Sequence, residues 1–102
     1  MKPTILREAE LESAEAAGWY DDQRDGLGDE FLSEVAEAIA RIGSDPQSFS
    51  RLESYAGPYE VRRCVLDRFP YLIVFACRPG ATLVVAITHA RRRPLYWLER
   101  LE

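Results

Sequence analysis

The chain has 102 residues, of which 47% are hydrophobic and 29% charged, and it carries a formal net charge of −4. This length supplies enough apolar residues for one core and too few for two, so we expect a single domain over residues 1–102. The longest apolar run, residues 71–77, is far shorter than the roughly 20 residues of a membrane-spanning helix. No basic leader opens the chain, and we expect neither export nor membrane insertion.

Charge is distributed unevenly along the chain. Residues 1–50 hold 4 Lys or Arg against 12 Asp or Glu, whereas residues 51–102 hold 9 Arg against 5 acidic residues. The halves could neutralise each other, or the second half could present a positive surface to an anionic partner. Twelve of the thirteen basic residues are Arg, whose planar guanidinium suits phosphate and carboxylate recognition, and this favours the second alternative.

The chain contains two cysteines, Cys64 and Cys77. This pair fits neither a disulfide scaffold nor a zinc site with repeated ligands. We therefore expect two reduced core thiols in a cytoplasmic protein. The sequence indicates no metal and no organic cofactor.

A short strand is predicted over residues 3–8, followed by a first helix over residues 9–24. The helical segment is rich in Ala and Glu and lacks Pro, which favours a helix. We expect Trp19 and Tyr20 to pack this helix onto the sheet. Its apolar positions at helical spacing are Leu11, Ala14 and Gly18.

A second helix is predicted to begin after Asp25, as its N-cap, and to end at Gly43. It has the clearest amphipathic pattern of the chain and should form an antiparallel hairpin with the first helix. Its apolar positions are Phe31, Leu32, Val35, Ala38, Ile39 and Ile42.

After a loop over residues 46–58, three strands are predicted at residues 59–67, 71–78 and 83–89, and they should form an antiparallel meander. The predicted fold class is therefore α+β, in the order β-α-α-β-β-β: an N-terminal strand and an antiparallel helical hairpin packed on one face of a small antiparallel sheet, with a short C-terminal helical tail.

The middle strand, residues 71–78, is apolar on both sides, so both faces of the sheet need a cover. One helical hairpin covers one face, and the residues after Arg93 suffice for only about two helical turns. We expect the other face to be under-covered, which is typical of a partner-binding surface. The alternatives are that the loop at 46–58 and the tail cover this face, or that the protein forms a dimer.

Two short motifs are the most specific features of the sequence: Arg68 to Tyr71, and a His-x-Arg-Arg-x-Pro-x-Tyr-Trp pattern over residues 89–97. With these motifs and this order of elements, the chain resembles the RelE/ParE superfamily of toxin–antitoxin toxins over nearly its whole length, and its ParE-like branch more closely. The other residues that carry the resemblance are Glu10, Leu11, Trp19, Tyr20, Gly26, Leu27, Gly28, Phe31, Leu32, Asp45, Pro46, Arg62 and Arg63.

The resemblance implies a small cytoplasmic bacterial toxin that a cognate antitoxin holds inactive in a hetero-oligomer. An amphipathic, acidic antitoxin helix would fit an apolar groove edged with Arg. The antitoxin contacts expected on the under-covered face are Arg63, Val74, Phe75 and Val85.

A ParE-like toxin is implied to inhibit DNA gyrase by binding, and this is the function that we expect. The expected target-binding residues are Arg91, Arg92, Arg93, Tyr96 and Trp97. Trp97 could stack on a base or, as we favour, pack the tail onto the sheet.

The first alternative function is a RelE-type, ribosome-dependent messenger-RNA endonuclease. Such a reaction needs a base, cationic phosphate clamps and an acid. The candidates are His89 or Glu60 as base, Arg63 and Arg92 as clamps, and Tyr96 or His89 as acid.

Two observations weigh against the nuclease. RelE-type nucleases resemble one another in a surface rich in Lys and Arg, and the predicted strands of this chain contain no Lys. His89, as the single His at a strand end, could instead fix the arginine-rich turn through a hydrogen bond. The second alternative function is a non-toxic module that only binds antitoxin.

Overall fold

The computed structural model describes residues 2–102, which form two α-helices and a four-stranded sheet in the order β-α-α-β-β-β. The predicted α+β class and order of elements are confirmed. Within the described residues, neither helix is long and apolar enough to cross a membrane. The elements are β1 (Thr4–Ile5), α1 (Arg7–Gln23), α2 (Leu27–Ser44), β2 (Glu60–Val65), β3 (Tyr71–Arg78) and β4 (Ala81–His89), with 3-10 turns at Pro46–Ser48 and Leu98–Leu101.

The strands lie in the order β1-β4-β3-β2. The last three form the predicted antiparallel meander, and β1 adds a parallel strand beside β4, which makes the sheet mixed. A register shift lies between Val74 and Phe75, where β4 carries Val85 as an extra residue. Because of this bulge, the adjacent residues Val85 and Ala86 both join the cluster on the sheet face that lies away from the helices, which we call the reverse face.

Helix α1 is packed through small residues, and its predicted core stripe is wrong. Leu11 is 51% exposed, and Ala14 and Gly18 also face solvent. The helix is rich in Ala and Glu and has few large apolar residues, so the spacing of Leu11, Ala14 and Gly18 was a misleading guide to the buried side, which is formed by other alanines and Tyr20. The buried positions are Ala9, Ala16, Ala17 and Tyr20.

Helix α2 buries four of the six residues of the predicted apolar stripe, whereas Leu32 is 40% exposed and Ile39 is half-buried. The buried four are Phe31, Val35, Ala38 and Ile42. Its N-cap is Gly26 and not Asp25. The backbone at Gly26 has φ 87°, a left-handed conformation that favours glycine. The first turn is capped from α1 by Asp21, whose Oδ1 accepts a 2.7 Å hydrogen bond from the backbone N–H of Gly28. The helix also extends beyond the predicted end, to Ser44.

An aromatic cluster fills the core between the helices and the sheet. The rings of Tyr20 and Phe69 lie 4.8 Å apart between centroids, and those of Phe31 and Tyr71 lie 5.1 Å apart. Phe75 belongs to this core, where its ring contacts Phe49. The expectation that Phe75 lies on an uncovered face is therefore wrong.

The reverse face is covered by the chain itself. Residues 52–55 and the tail, which we define as residues 94–102, lie over it, and Trp97 is only 3% exposed. The expectation of an under-covered face is wrong, and the alternative in which loop and tail cover it is correct. The tail reaches its position through Leu95, which has a left-handed φ of 63°. The strand residues buried beneath this cover are Val61, Val74, Ala76, Val85 and Ala86.

Candidate functional site

Residues 90–93, the arginine turn, follow β4 and expose Arg91, Arg92 and Arg93. The turn is fixed by His89, whose Nδ1 accepts a 3.0 Å hydrogen bond from the backbone N–H of Arg91. The carbonyl of His89 accepts a second bond, also 3.0 Å long, from the N–H of Arg92. The predicted structural role of His89 in fixing this turn is confirmed.

Glu12, on α1, joins the helix to β4, the arginine turn and the tail. Its side chain is 13% exposed, and its carboxylate pairs with both terminal nitrogens of Arg100, at 2.9 and 3.1 Å. It also accepts a 3.1 Å bond from the N–H of Ile87 and a short bond from the hydroxyl of Tyr96. Sequence reasoning missed Glu12, because Arg100 lies 88 residues away and no local pattern connects the two.

Arg92 has a defined position above Tyr96. Its guanidinium carbon lies 3.8 Å from the centre of the Tyr96 ring, and its Nη1 lies 3.8 Å from the carboxylate of Glu12. Burial, and then the hydrogen bond to Glu12, raise the pKa of Tyr96. The phenol therefore stays protonated near neutral pH, and its hydroxyl donates a hydrogen bond to Glu12.

Three of the candidate nuclease residues, His89, Arg92 and Tyr96, line one cavity of about 160 Å³ beside the arginine turn, whereas Arg63 and Glu60 lie elsewhere. Arg63 stands opposite Val74, which belongs to the reverse face, whereas His89 stands opposite Tyr71, which packs on the helix side. Since directly opposed residues of a sheet share a face, Arg63 and His89 project to opposite sides. These two predicted members of one catalytic set are not brought together.

Glu60 is also remote from His89. It pairs with Cys77, at the opposite end of β3 from the partner of His89. Its carboxylate accepts a 2.7 Å hydrogen bond from Nε of Arg62, and this bond lowers the pKa of Glu60. Glu60 therefore acts as an ion-pair partner in this structure and is not placed to act as a base beside His89.

Trp97 packs the tail onto the sheet, as favoured. Its ring lies 6.0 Å from that of Tyr55 and belongs to the buried cluster on the reverse face. In this conformation Trp97 is 3% exposed, so its contact with a target stays a prediction that requires the tail to move. The same burial leaves Val74 and Val85 only 1% and 0% exposed, so their contact with an antitoxin stays a prediction that requires the tail to move.

A cleft of about 580 Å³ opens beside the arginine turn, between α1 and the ends of β3 and β4. We call it the aromatic cleft after Trp19, Tyr20 and Tyr71, whose rings are among its lining residues. Trp19 is 59% exposed at its rim, so the expectation that Trp19 packs α1 onto the sheet is wrong, whereas that for Tyr20 is confirmed. The residues that line the cleft are Glu12, Glu15, Ala16, Trp19, Tyr20, Pro70, Tyr71, Ile87, Thr88, His89 and Arg92.

A second cavity of about 580 Å³ follows α2 toward β1. We call it the α2 groove; its lining is almost wholly apolar, and Leu32 is 40% exposed there. Lys2 contributes the positive charge at its edge. The other residues that line the groove are Pro3, Ile5, Ser13, Val35, Ala36, Ile39, Ala40, Gly43, Ser44 and Ile87.

No three His, Cys, Asp or Glu side chains among residues 2–102 are arranged to hold a metal ion. Both cysteines are free thiols, and burial raises the pKa of each. The described part of the chain therefore offers surfaces and clefts for binding and no clustered metal ligands.

Comparison with known families gives one match. Residues 5–94 match the model of the family described as the ParE toxin of type II toxin–antitoxin system, parDE. The matched range contains both helices, strands β2 to β4 and the arginine turn, and it ends before Tyr96. No curated protein matches the chain.

Proposed function

Because the chain belongs to the family of ParE toxins of type II toxin–antitoxin systems, we propose that it inhibits DNA gyrase by binding and that a cognate antitoxin neutralises it. The observation that carries this proposal is the arginine turn. It presents three consecutive guanidinium groups on a backbone that His89 holds in place. A binding inhibitor needs such a preorganised surface and no catalytic group.

The geometry supports binding over RNA cleavage. A nuclease would need its clamp, base and acid around one phosphate. Here Arg63 and His89 lie on opposite faces of the sheet, and the hydroxyl of Tyr96 is engaged by Glu12. The nuclease is therefore the weaker alternative.

The arginine turn is suited to an acidic protein surface. Neither Arg91 nor Arg93 forms an ion pair with another residue of the described chain, so their donors are available to a partner. Arg92 is held against Tyr96, which reduces the side-chain entropy lost on binding. Carboxylates of the target would receive forked hydrogen bonds from this turn.

The test is a supercoiling assay with purified protein, purified gyrase and relaxed plasmid. The wild type should block the introduction of negative supercoils, and Arg91→Ala with Arg93→Ala should raise the concentration needed by about tenfold. Arg51→Ala is the matched control, because Arg51 is also exposed and lies on the far edge of the sheet. It should inhibit like the wild type.

Other outcomes assign the alternative functions. Normal supercoiling together with messages cut within codons after induction would favour the ribosome-dependent nuclease. Normal supercoiling, intact messages and normal growth would favour the non-toxic antitoxin-binding module.

We place the antitoxin on the α2 groove. The residues first expected to receive it, Val74 and Val85, are buried, whereas the groove is an open and almost wholly apolar surface. An amphipathic antitoxin helix would bury its apolar side there and direct acidic residues to Lys2. Arg63, half-buried on the reverse face, remains a proposed second contact.

The antitoxin proposal is tested with the product of the adjacent gene, which should encode a DNA-binding head and an amphipathic acidic tail. Ala36→Glu introduces a charge into the groove, and Ser33→Glu introduces the same charge outside it on α2. The first variant should lose antitoxin affinity by at least about tenfold while still inhibiting gyrase, and the second should keep both activities. Equal binding by both variants would contradict this placement.

A further inference from the structure

We propose that the aromatic cleft is the second half of the target-binding surface, with Trp19 as its principal contact, and that it receives an aromatic side chain from an acidic segment of the target protein. This inference rests on the proposed function, because it assigns the cleft to the target and not to the antitoxin.

Trp19 is a large apolar side chain that the fold leaves uncovered. It is 59% exposed, whereas Trp97 is 3% exposed. The Trp19 ring is nevertheless oriented, because it contacts Tyr20 edge to face with 5.2 Å between centroids, and Tyr20 is itself buried in the core. Tryptophan is one of the residue types enriched among binding hot spots, and the exposed, oriented ring of Trp19 is available for such a contact.

The interior of the cleft suits a planar ring. Tyr71 and His89 meet edge to face with 5.4 Å between their ring centroids, and the side chain of Ile87 adds an apolar surface to the lining. The volume of about 580 Å³ is large enough to admit one aromatic side chain with part of its backbone. Edge-to-face contacts with Trp19 and Tyr71 would then be available to the ring.

Charge around the cleft indicates an acidic partner. Arg92 lines it, and Arg91 and Arg93 follow in the adjoining turn. Of the two carboxylates on the α1 wall, Glu12 is already compensated by Arg100, which leaves Glu15 exposed. Acidic residues beside the inserted ring would therefore meet the arginine turn.

A protein segment fits this cleft better than a nucleic acid. The α1 wall contributes Glu12 and Glu15, and the whole chain carries a net charge of −4. A continuous phosphate backbone would be repelled by the exposed Glu15 and by the net negative charge of the chain, whereas a peptide can direct its carboxylates toward the arginines and its neutral backbone toward α1.

The first test measures Trp fluorescence while the protein is titrated with a random copolymer of Glu and Tyr. Trp19 is exposed and Trp97 buried, so a change on binding reports Trp19. We expect a blue shift that Trp19→Phe abolishes while calorimetry still detects binding, and at least about tenfold weaker binding to poly-Glu. Equal binding of poly-Glu, or tighter binding of poly-U RNA, would overturn the proposal.

The second test compares Trp19→Ala with Leu11→Ala, which removes another exposed apolar side chain two turns earlier on α1. Trp19→Ala should weaken gyrase inhibition at least about tenfold, restore growth on induction and leave the unfolding midpoint and antitoxin affinity unchanged. Leu11→Ala should change none of these. Unaltered inhibition by Trp19→Ala, or a loss confined to antitoxin binding, would overturn the inference.

Failure of the proposed function is distinguishable from failure of this inference. If wild-type protein leaves gyrase active, the gyrase proposal fails, and the cleft is judged by the copolymer titration alone. Binding that requires Tyr in the copolymer and an aromatic residue at position 19 supports the cleft as a site for an acidic aromatic segment; its absence rejects the site.

Discussion

The two faces of the sheet are covered in different ways. On the helix side, two regular helices of 17 and 18 residues bury a continuous core with a cluster of four rings, in which Tyr20 and Phe31 each contact the other three. On the reverse face, an irregular loop and a nine-residue tail bury a smaller cluster through Trp97 and Leu101. The helix side is stabilised by many repeated contacts, whereas the reverse face depends on a few large side chains and on Glu12.

This difference connects stability with the proposed function. The arginine turn lies between the two covers, since it follows β4 and leads into the tail. Its geometry is set from the helix side by Glu12 and from the reverse face by the tail residue Tyr96. A change that frees the tail should therefore disturb the target surface before it disturbs the core.

The largest effect is expected from Phe31→Ala on the helix side. Phe31 is fully buried and its ring contacts Tyr20, Phe69 and Tyr71. Its truncation should lower the free energy of unfolding by about 3–5 kcal/mol, which is a large part of the stability of a domain this size. Urea unfolding measures the loss. A decrease in the free energy of unfolding of less than about 1 kcal/mol would show that the helix-side core is not the main source of stability.

Trp97→Ala should have a smaller and more local effect. The side chain is buried, but it belongs to a tail that can detach without opening the helix-side core. We expect a loss of about 2–3 kcal/mol, below the usual cost of a buried Trp because the tail can leave as a unit.

Amide hydrogen exchange distinguishes local detachment from general destabilisation. In Trp97→Ala, protection should fall in residues 94–102 while the amides of β3 and β4 keep most of theirs. Tyr55→Phe is the matched control, because it keeps the ring that contacts Trp97. A uniform fall in protection across the sheet would contradict the comparison between the two faces.

Glu12→Gln should cost about 1–3 kcal/mol, because it removes the charge that pairs with a largely buried Arg100. It should also release Arg92 and weaken gyrase inhibition. Glu10→Gln removes an exposed carboxylate from the same helix and should change neither quantity. Full inhibition by Glu12→Gln would show that the arginine turn holds its geometry without Glu12.

The sequence was informative where the pattern was local. The period of α2 predicted the stripe that contains Phe31 and Ile42, and β3 was predicted with its observed bounds. The α1 stripe failed, because alanines and not Leu11 form the core side. Likewise, the N-cap of α2 is Gly26 and not the predicted Asp25, since the left-handed turn between the helices is a property of their packing.

The candidate site was predictable only in part. Three adjacent arginines after a strand are visible in the sequence, and so is the His89 that fixes their turn. Glu12 and Trp19 were not identified, because their roles arise from contacts between α1 and the two ends of the chain. The cover of the reverse face was not predictable either. The tail turns at Leu95 with a left-handed backbone, and no glycine marks that position in the sequence.

The smallest expected effect concerns acid pH and two partly exposed carboxylates, Glu30 and Glu60. Hydrogen bonds from Arg68 and then Arg24 lower the pKa of Glu30, and a bond from Arg62 lowers that of Glu60. Since the folded pKa is below the ordinary value of 4.5, their stabilising contribution is present above that value and is lost as pH falls through the folded pKa.

Glu30 ties α2 to the turn before β3 through Arg68, whereas Glu60 orients Arg62, which binds Gln47 in the loop. Solvent screens both pairs, so each contribution should be small. Unfolding midpoints in urea between about pH 6 and pH 3 should fall less steeply for Glu30→Gln and Glu60→Gln than for the wild type. If the unfolding midpoint changed with pH equally in all three proteins, neither ion pair would stabilise the folded state.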